Sequence, residues 1–437
     1  MQSVIEIRER MEMPRVSVIL TSYNHAKYLR EAIDSVLNQS YSDFELIILD
    51  DISTDDSWEL IDGYSDTRIK AIRSRSNGEI NLLTNQVVAD IAEGEYIAIH
   101  HSDDVWELDK LSKQVACLDR NPGVGAVFTD ASAIGENGVL LSDSSNPYFH
   151  IFNQFDRPRH EWLRFYFLRN WALCDPSALI RKSCFMECGS YKAWFWQIND
   201  FDLWVRLLLR HDIRVLPERL VRFRVRENEA NRSGNRRDSR VRSTYEYFKL
   251  LENYRDIPSF VDVCAIFPEA QKYDRGTQTD LLFALGLTAL EVLTLPFAKL
   301  FALDLLREAI SDPIRSAAIK SAYGFGIKDL VRLTGEHDVF SLEEVAELRH
   351  GVVARDQRIL EIHDALTECE AQIVNLTKGE AERDELILSL DSQLSECAAR
   401  VEILTQELSE RDRSILAVRR DIAARNDPER QKIPDKS

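Results

Sequence analysis

The first 130 residues alternate short apolar runs with amphipathic stretches, and this pattern predicts strands that alternate with helices. VSVIL and FELIILD are apolar, β-branched runs, whereas AKYLREAIDSVLNQ between them repeats its apolar residues at helical spacing. The predicted strands are 16–20, 45–49, 69–72, 96–100 and 124–128. Alternating strands and helices are typical of an α/β fold with a mostly parallel sheet.

Polar residues follow the first two predicted strands directly. The first strand runs into Thr21, Tyr23 and Asn24, and the second runs into Asp50 and Asp51. In an open parallel sheet the ligand binds beyond the carboxyl ends of the strands, so these side chains are expected to share one crevice. Acidic and aromatic groups there suit a ligand that carries a base and a metal-bound phosphate.

Later segments differ in character. Residues 160–232 are mixed, residues 222–240 have the composition of a loop or a domain edge, and residues 241–335 read as helical. The longest apolar stretch, Leu281 to Leu306, contains Pro296 and three charged residues, so it predicts two helices rather than a membrane span. Peripheral contact with a bilayer is compatible with such helices.

The C-terminal part carries a seven-residue repeat that predicts a long left-handed coiled-coil helix. Its first core positions are Val345, Val352, Ile359, Leu366, Ile373, Glu380, Ile387, Leu394, Val401, Leu408 and Ile415. Arg355, Arg383 and Arg411 occupy second core positions 28 residues apart. Charged core layers fix register, so we expect a homo-oligomer; a single solvated helix is the alternative. The tail beyond Asn426 is expected to be disordered.

Charge and cysteine content exclude several classes of protein. A formal charge of -18 argues against binding to nucleic acid, which needs basic surface. The N-terminus shows no basic region followed by an apolar core, so no secretory signal is predicted and a cytoplasmic location is expected. Seven scattered cysteines fit neither a disulfide framework nor a zinc ribbon.

Four blocks in order resemble the family 2 glycosyltransferases with the GT-A fold. They are VSVILTSYNHAKYLREAIDSVLNQSYSDFELIILDDISTDDS, GEYIAIHHSDDVWELDKLSKQ, DPSALIRKSCFMECGSY and NDFDLWVRLL, and the resemblance covers about residues 14–232. Together with the patterns above it divides the chain into an N-terminal extension, a GT-A domain, a helical domain, the coiled coil and the tail. These are residues 1–13, 14–235, 236–340, 341–422 and 423–437.

The resemblance implies a divalent cation, Mn²⁺ or Mg²⁺, on the diphosphate of a nucleotide sugar. Asp103 matches the family's metal-binding carboxylate, with N-capping of the next helix as its alternative role. His101 stands where the family often has another aspartate, and imidazole ligates manganese better than magnesium. Ser102 lies between them, at the donor site. An ordinary strand-end histidine is the alternative for both His100 and His101.

The resemblance also implies the residues that hold the donor. Asp51 matches the carboxylate that reads the edge of the base, with Asp50 beside it, and Tyr23 lies where an aromatic ring packs on the base. Thr21 and Arg73 are expected to line the same pocket. Near the diphosphate, Arg226 takes the place of a family histidine, with Arg224 as the other candidate and a solvated basic loop as the alternative.

An inverting transfer needs one base that accepts the proton of the acceptor hydroxyl. The family's aspartate before the DLW helix matches Asp200, and the preceding family glutamate is Asn199 here. Asp202 is the competing base, although its position suggests a helix-start cap.

The expected activity is therefore inverting transfer of a sugar, with a UDP-sugar as the expected donor, to a glycan or lipid-linked acceptor in surface polysaccharide synthesis. The alternative is an impaired glycosyltransferase-like scaffold that organises partner enzymes through the coiled coil, since His101 and Asn199 depart from the family pattern.

Overall fold

The computed structural model describes residues 13–142, 147–376 and 383–425 of the 437-residue chain. By compactness the chain divides into two units, Met1–Leu285 and Gly286–Ser437. The helices from residue 237 to residue 266 therefore belong to the first unit, together with the sheet. The functional domain boundaries given above stay predictions.

The first unit is built on one eight-stranded sheet with the order β3-β2-β1-β4-β7-β6-β8-β5. The strands are β1 Val16–Ser22, β2 Phe44–Asp50, β3 Ile69–Arg73, β4 Tyr96–His101, β5 Val105–Trp106, β6 Val124–Ile134, β7 Leu179–Arg181 and β8 Asp212–Arg224. Strands β3, β2, β1 and β4 are parallel to one another, and β6 is parallel to β8. Strands β7 and β5 pair in the antiparallel sense.

Helices flank the sheet and make up most of the rest of the described chain. Those that lie wholly in the described part of the first unit are α1 Ala26–Leu37, α2 Ser57–Asp62, α3 Ile80–Asp90, α4 Lys110–Arg120, α5 Pro147–Phe152, α6 Arg159–Phe167, α7 Lys182–Glu187, α8 Asn199–Leu208, α9 Arg237–Leu251 and α10 Phe260–Ile266. Then follow α11 Leu281–Val292, α12 Pro296–Ala309, α13 Pro313–Tyr323, α14 Ile327–Glu336, α15 Leu342–Leu376 and α16 Arg383–Arg425.

The prediction of an α/β fold with a mostly parallel sheet, followed by a helical region, is confirmed. All five predicted strands are present, as β1, β2, β3, β4 and β6. The residues of β1 and β2 are buried almost throughout, which explains why they read as continuous apolar runs.

Strand β8 was missed because its sequence does not look like a strand. It carries Pro217 and several charged residues, and its last three residues fall in the segment assigned to a loop. The pairing of β6 with β8 shifts register between Thr129 and Ala131, opposite the proline. Proline is tolerated within a sheet at such irregularities, which single-sequence patterns do not reveal.

Beneath the sheet edge lies an unusual buried lysine. The Nζ atom of Lys110 on α4 has no hydrogen-bond partner among the described residues and lies 3.8 Å from the centre of the Trp106 ring. Burial lowers the pKa of Lys110 well below its usual value. The ring of His100 also packs on Trp106, with the two ring centroids 4.4 Å apart. Burial lowers the pKa of His100 well below 6.5, so His100 is a neutral core residue.

Lys110→Met should stabilise the protein, because it removes an amine that is buried without a partner. The unfolded chain protonates Lys110 near pH 10.4 whereas the folded chain resists protonation. The wild-type lysine therefore costs more stability as the pH falls below that value, by up to about 1.4 kcal/mol per unit. Melting temperatures at pH 7 and pH 9 should show a gain for Lys110→Met that is larger at pH 7.

Lys113 on the same helix is the matched control, since it is partly exposed and lies 3.2 Å from Glu218. Lys113→Met should leave the melting temperature and its pH dependence nearly unchanged. An equal gain at both pH values for Lys110→Met would show that the amine is protonated in the folded protein.

The C-terminal helices α15 and α16 lie where the heptad repeat predicts helix. They contact each other, and the Cys369 thiol lies beside the Cys397 thiol. Core-position residues Val352, Ile359 and Leu366 are 47%, 48% and 50% exposed in the single chain. Helix formation is thus confirmed, but the prediction of one long helix is wrong, because residues 28 apart on a single helix would lie about 42 Å apart. A coiled coil between chains stays a prediction. Residues 377–382 and the predicted tail from residue 426 lie outside the described residues.

The apolar stretch from Leu281 to Leu306 forms two helices, α11 and α12, as predicted, and Pro296 stands in the first turn of α12. Of the helices in the described part of the chain, not one combines the length and apolar character needed to span a bilayer.

Candidate active site

The site lies at the carboxyl edge of the parallel part of the sheet. Strand β1 has β2 on one side and β4 on the other, with Ser22 opposite Asp50 and Thr21 opposite His101. Neighbouring strands lie about 4.8 Å apart, so Asp50 and His101 are separated by roughly 10 Å. The segments after β1, β2 and β4 therefore meet at one edge of the sheet, where the sequence predicts that the ligand binds.

Asp51 is fixed by its backbone and by one carboxylate oxygen. Its N–H donates to Ser22 O at 2.9 Å, and its Oδ2 accepts from the Gly78 N–H at 2.9 Å. Oδ1 is buried and has no hydrogen-bond partner among the described residues. Burial raises the pKa of Asp51. An acceptor held in this way suits the N–H of a ligand ring.

The neighbouring donor-site candidates have different environments. Asp50 is buried, accepts from the Ser53 N–H at 3.0 Å and lies 3.3 Å from Arg73 Nε. Arg73 also donates to Ser53 O, which ties it to the turn after β2. The Tyr23 ring is 44% exposed after β1, in reach of a ligand. Thr21 is half-buried, and its carbonyl accepts from the Ser102 N–H.

Asp103 lies beside two basic side chains. Its Oδ2 is 4.0 Å from Arg226 Nη1, and the same Nη1 donates to His25 Nε2 at 2.7 Å. Arginine cannot accept a hydrogen bond, so His25 is a neutral tautomer whose Nδ1–H donates to Ser102 Oγ at 2.8 Å. Burial lowers the pKa of His25, in agreement. Of these two side chains, Arg226 therefore carries the positive charge.

Arg224, the other arginine considered for the diphosphate, is a structural residue here. It is buried, its Nε donates to Asp103 O at 2.7 Å and its Nη2 lies 2.6 Å from Glu31 Oε2. Its backbone N–H donates to Asp104, whose pKa burial raises well above the usual range.

Both ring nitrogens of His101 face carboxylates. Nε2 lies 3.2 Å from Asp175 Oδ2, and Nδ1 lies 3.8 Å from Asp104 Oδ2. Burial alone would lower the pKa of His101, but the hydrogen bond to Asp175 and the carboxylate charges raise it to about 9. As a metal ligand, His101 stays a prediction that requires Nε2 to leave Asp175.

The donor set at this edge fits a divalent cation that is shared with a ligand. Within the described residues, no group of three or more His, Cys, Asp or Glu side chains is arranged to hold an ion alone. Mg²⁺ is commonly held by one or two carboxylates together with substrate phosphates. The carboxylate of Asp103, which lies 4.0 Å from the guanidinium of Arg226, fits that mode.

The two candidate bases on α8 occupy contrasting environments. Asp202 is buried between Lys192 Nζ at 2.9 Å and Arg206 Nη2 at 2.6 Å, and it also accepts from Asn253. Asp200 stands in the first turn of α8, where burial and then the charge of Asp175 raise its pKa to about 7. Such a carboxyl group is poised to exchange a proton at neutral pH.

The segment before α8 is held by one buried carboxylate on α9. Glu246 accepts from the backbone N–H groups of Trp196, Gln197 and Ile198 at 2.8, 2.7 and 2.9 Å. Arg232 lies 4.1 Å over the Trp196 ring, and its charge opposes the rise in the pKa of both Asp51 and Asp200. Arg232 is thus close enough to act on both the predicted base-binding residue Asp51 and the predicted catalytic base Asp200, and Glu246 holds the segment that precedes Asp200.

Sequence reasoning missed several residues of this crevice, namely His25, Asp175, Tyr191, Arg232 and Glu246. His25, Asp175 and Tyr191 stand inside the quoted blocks, so their place in those blocks was an available signal. Tyr191 donates to Asp175 Oδ1 at 3.3 Å and Glu246 comes from a distant helix. Only the fold brings these side chains to the site.

Comparison with known proteins relates this chain to one family. The family model described as "Glycosyl transferase family 2" matches residues 17–187. Residues 17–187 are therefore similar to family 2 glycosyltransferases. The matched region contains Asp51, His101, Asp103 and Asp175, and it ends before Asp200 and Arg226.

Individual relatives of the family 2 domain agree with this result. An uncharacterized glycosyltransferase of Methanocaldococcus jannaschii is 28% identical over 255 residues, which are 57% of this chain and 83% of the relative. The UDP-Glc:alpha-D-GlcNAc-diphosphoundecaprenol beta-1,3-glucosyltransferase WfaP of Escherichia coli is 38% identical over 108 residues, 24% of this chain and 42% of WfaP.

The crystal structure of Staphylococcus aureus TarS 1-349 aligns with 71% of this chain and 92% of its own, at 16% identity and a TM-score of 0.46. That likeness is too low to carry a conclusion about the ligand of the family 2 domain.

Proposed function

We propose that this protein transfers a sugar, with inversion, from a nucleotide-diphosphate sugar to a glycan or lipid-linked acceptor in surface polysaccharide synthesis. UDP-sugars are the proposed donors, because the relative WfaP carries UDP-Glc in its name and matches this chain over 108 residues. The match to the family 2 model favours the enzyme over the alternative, an impaired scaffold.

One arrangement supports the proposal: Asp51, Asp103 and Asp200 come from three separate segments that approach the same edge of the sheet. Asp51 follows β2 and Asp103 follows β4, which lie on either side of β1. Asp200 is tied to that edge through Asp175, which contacts His101 and raises the pKa of Asp200. Because the three carboxylates have different partners, they suit three different tasks. Asp51 would bind the base of the donor, Asp103 would bind the cation, and Asp200 would accept the proton of the acceptor hydroxyl.

In the proposed mechanism the crevice first binds and orients the donor. The buried, unpartnered Oδ1 of Asp51 accepts the N–H of the base, and the exposed ring of Tyr23 packs on it. Asp103 would hold the divalent cation, which neutralises charge on the diphosphate when it is bound. Arg226 adds a fixed positive charge beside it, and His25 keeps Arg226 in place through its Nε2.

Asp200 then serves as the general base. Its ionised carboxylate takes the proton of the acceptor hydroxyl as that oxygen attacks the anomeric carbon from the face opposite the diphosphate. The bond between that carbon and the diphosphate oxygen breaks, and the nucleoside diphosphate leaves with the electron pair. Asp175 contributes by its charge, which helps to hold the pKa of Asp200 near neutrality. His101, paired to Asp175 at 3.2 Å, positions that carboxylate.

A donor screen tests the proposal. The full-length protein should be stabilised by at least one of UDP-glucose, UDP-N-acetylglucosamine, UDP-galactose and GDP-mannose in the presence of Mn²⁺, since a ligand that binds the native state raises its melting temperature. The stabilising donor should also release its nucleoside diphosphate slowly by hydrolysis. Binding without any release, with either Mn²⁺ or Mg²⁺, would favour the scaffold alternative.

We further propose that the heptad seam joins copies of this chain. Ile359 and Leu366 are apolar and half exposed at successive core positions, so a second copy would bury them. Ile359→Asp with Leu366→Asp should reduce the mass measured by light scattering to that of one chain, 50.4 kDa. Gln357→Asp, outside the seam, is the control. An unchanged mass for the double variant would contradict this proposal.

For location we propose the cytoplasm, with peripheral attachment at the inner face of the membrane through α11 and α12. Flotation of the full-length protein with anionic vesicles tests this attachment, and a protein that stays entirely in the dense fraction would contradict it.

A further inference from the structure

Two exposed aromatic rings lie beside the helix that carries Asp200. Trp194 precedes α8 and Tyr245 is on α9, and their ring centroids are 6.4 Å apart at an interplanar angle of 61°. We propose that Trp194 and Tyr245 form a binding site for a pyranose ring of the acceptor glycan. This inference rests on the proposed function, whose acceptor subsite it supplies.

The exposure of these rings needs an explanation. Trp194 is 52% exposed and Tyr245 is 57% exposed, whereas the other described tryptophans and tyrosines of the first unit, apart from Tyr23, are buried or half-buried. One face of a pyranose presents C–H groups and packs well on an aromatic ring, while the hydroxyls at the rim keep their contacts with water or polar side chains. A shelf of two angled rings offers such a surface.

The shelf is rigid, which lowers the entropy cost of binding. Trp194 packs on the buried ring of Phe195, with centroids 4.3 Å apart, and Asn81 donates to Phe195 O at 2.8 Å. Glu246, next to Tyr245 in sequence, accepts hydrogen bonds from the backbone N–H groups of residues 196–198, which follow Trp194 in the chain. The same carboxylate thus fixes both sides of the shelf.

The shelf is near the proposed base along the chain. Trp194 precedes Asp200 by six residues, which span at most about 20 Å even when extended. Between them, Trp196 lies under Arg232, whose charge acts on Asp200. A sugar on the shelf would therefore belong to the end of the acceptor that receives the new residue.

The size of the patch favours a sugar over a protein partner. A tryptophan or tyrosine side chain contributes about 150–250 Å², so two half-exposed rings offer roughly 200 Å². A specific protein interface needs about 800 Å² on each partner. A single saccharide ring needs no more than the shelf provides.

Saturation-transfer difference NMR on the full-length protein tests the inference without any turnover. The probes are methyl β-D-glucopyranoside and methyl N-acetyl-β-D-glucosaminide, each measured with and without UDP. We expect saturation of the ring C–H protons of at least one probe, a loss of threefold or more in Trp194→Ala and Tyr245→Ala, and retention in Trp194→Phe.

Phe155→Ala is the matched control, because Phe155 is 68% exposed and contacts Arg157 away from the shelf. Melting temperatures establish that each variant is folded. Undiminished saturation in Trp194→Ala would overturn the inference, and so would a change of mass in light scattering on removal of the rings, which would mark a protein contact. Saturation without donor turnover would instead leave the shelf in place and contradict the proposed function.

Discussion

Asp200→Asn should lower the rate of sugar transfer by about 10²- to 10⁴-fold, the usual contribution of a general base. Asparagine keeps the size and much of the hydrogen bonding of the side chain but cannot take a proton. Donor affinity should stay within a few-fold of the wild-type value, because Asp200 acts on the acceptor hydroxyl. Donor binding by calorimetry and transfer to a glycan acceptor separate these two effects.

The pH dependence of transfer gives the same assignment a second test. The base acts only when it is ionised, and burial raises the pKa of Asp200 to about 7. Wild-type kcat should therefore rise as the pH increases through about 7 and then level off. This rising limb should be absent from the residual activity of Asp200→Asn.

Asp202→Asn is the matched control two residues away. Asp202 pairs with Lys192 and Arg206 in a buried position, so its neutralisation leaves two cations without their partner. We expect a loss of about 3 kcal/mol in stability, seen as a lower melting temperature. The folded fraction should keep near-normal kinetics. Near-normal transfer by Asp200→Asn together with a large kinetic loss in Asp202→Asn would reverse the assignment.

Asp103→Asn should have the second large effect, a loss of about 10²-fold or more in kcat/KM for the donor. A cation on the diphosphate contributes several kcal/mol, and each 1.4 kcal/mol corresponds to a factor of ten in rate. An amide binds a divalent cation less well than a carboxylate does. The concentration of Mn²⁺ needed for half-maximal activity should therefore rise in the variant.

Asp109→Asn controls for the loss of a negative charge near this part of the chain, since Asp109 is exposed and contacts Ser40. It should leave the dependence on Mn²⁺ unchanged. If Asp103→Asn showed the wild-type response to Mn²⁺, Asp103 would have no place in the cation site.

The local sequence pattern was enough to predict the strands that are buried on both faces, because such strands consist of continuous apolar residues. The buried strands β1, β2 and β4 are continuous apolar runs, and the polar residues that follow them mark the carboxyl edge, so the crevice was predictable. Strand β8 was not, because its stability comes from pairing with β6 across a shift in register. Long-range pairing leaves no periodic signal in a strand that carries proline and charge.

The surroundings of individual side chains, such as those of Asp200 and Asp202, could likewise not be predicted from the sequence. Asp200 and Asp202 are two acidic residues in one helix turn, and nothing in NDFDLWVRLL distinguishes them by charge or spacing. Lys192, Arg206 and Asn253 surround Asp202, whereas Asp175 faces Asp200, and three of these four residues come from other segments. A pKa depends on burial and on nearby charges, which are properties of the folded chain.

The sequence by itself determined the α/β class, the order of the main strands, the helical C-terminal part and the family 2 motifs, because these depend on periodicity and on short contiguous blocks. The tertiary structure alone decided that His101 faces Asp175, that Arg224 is buried while Arg226 lies near Asp103, and that Glu246 holds the backbone of the segment before α8. Each of these depends on contacts between residues far apart in the chain, which form only when burial and pairing fix the whole unit in one arrangement.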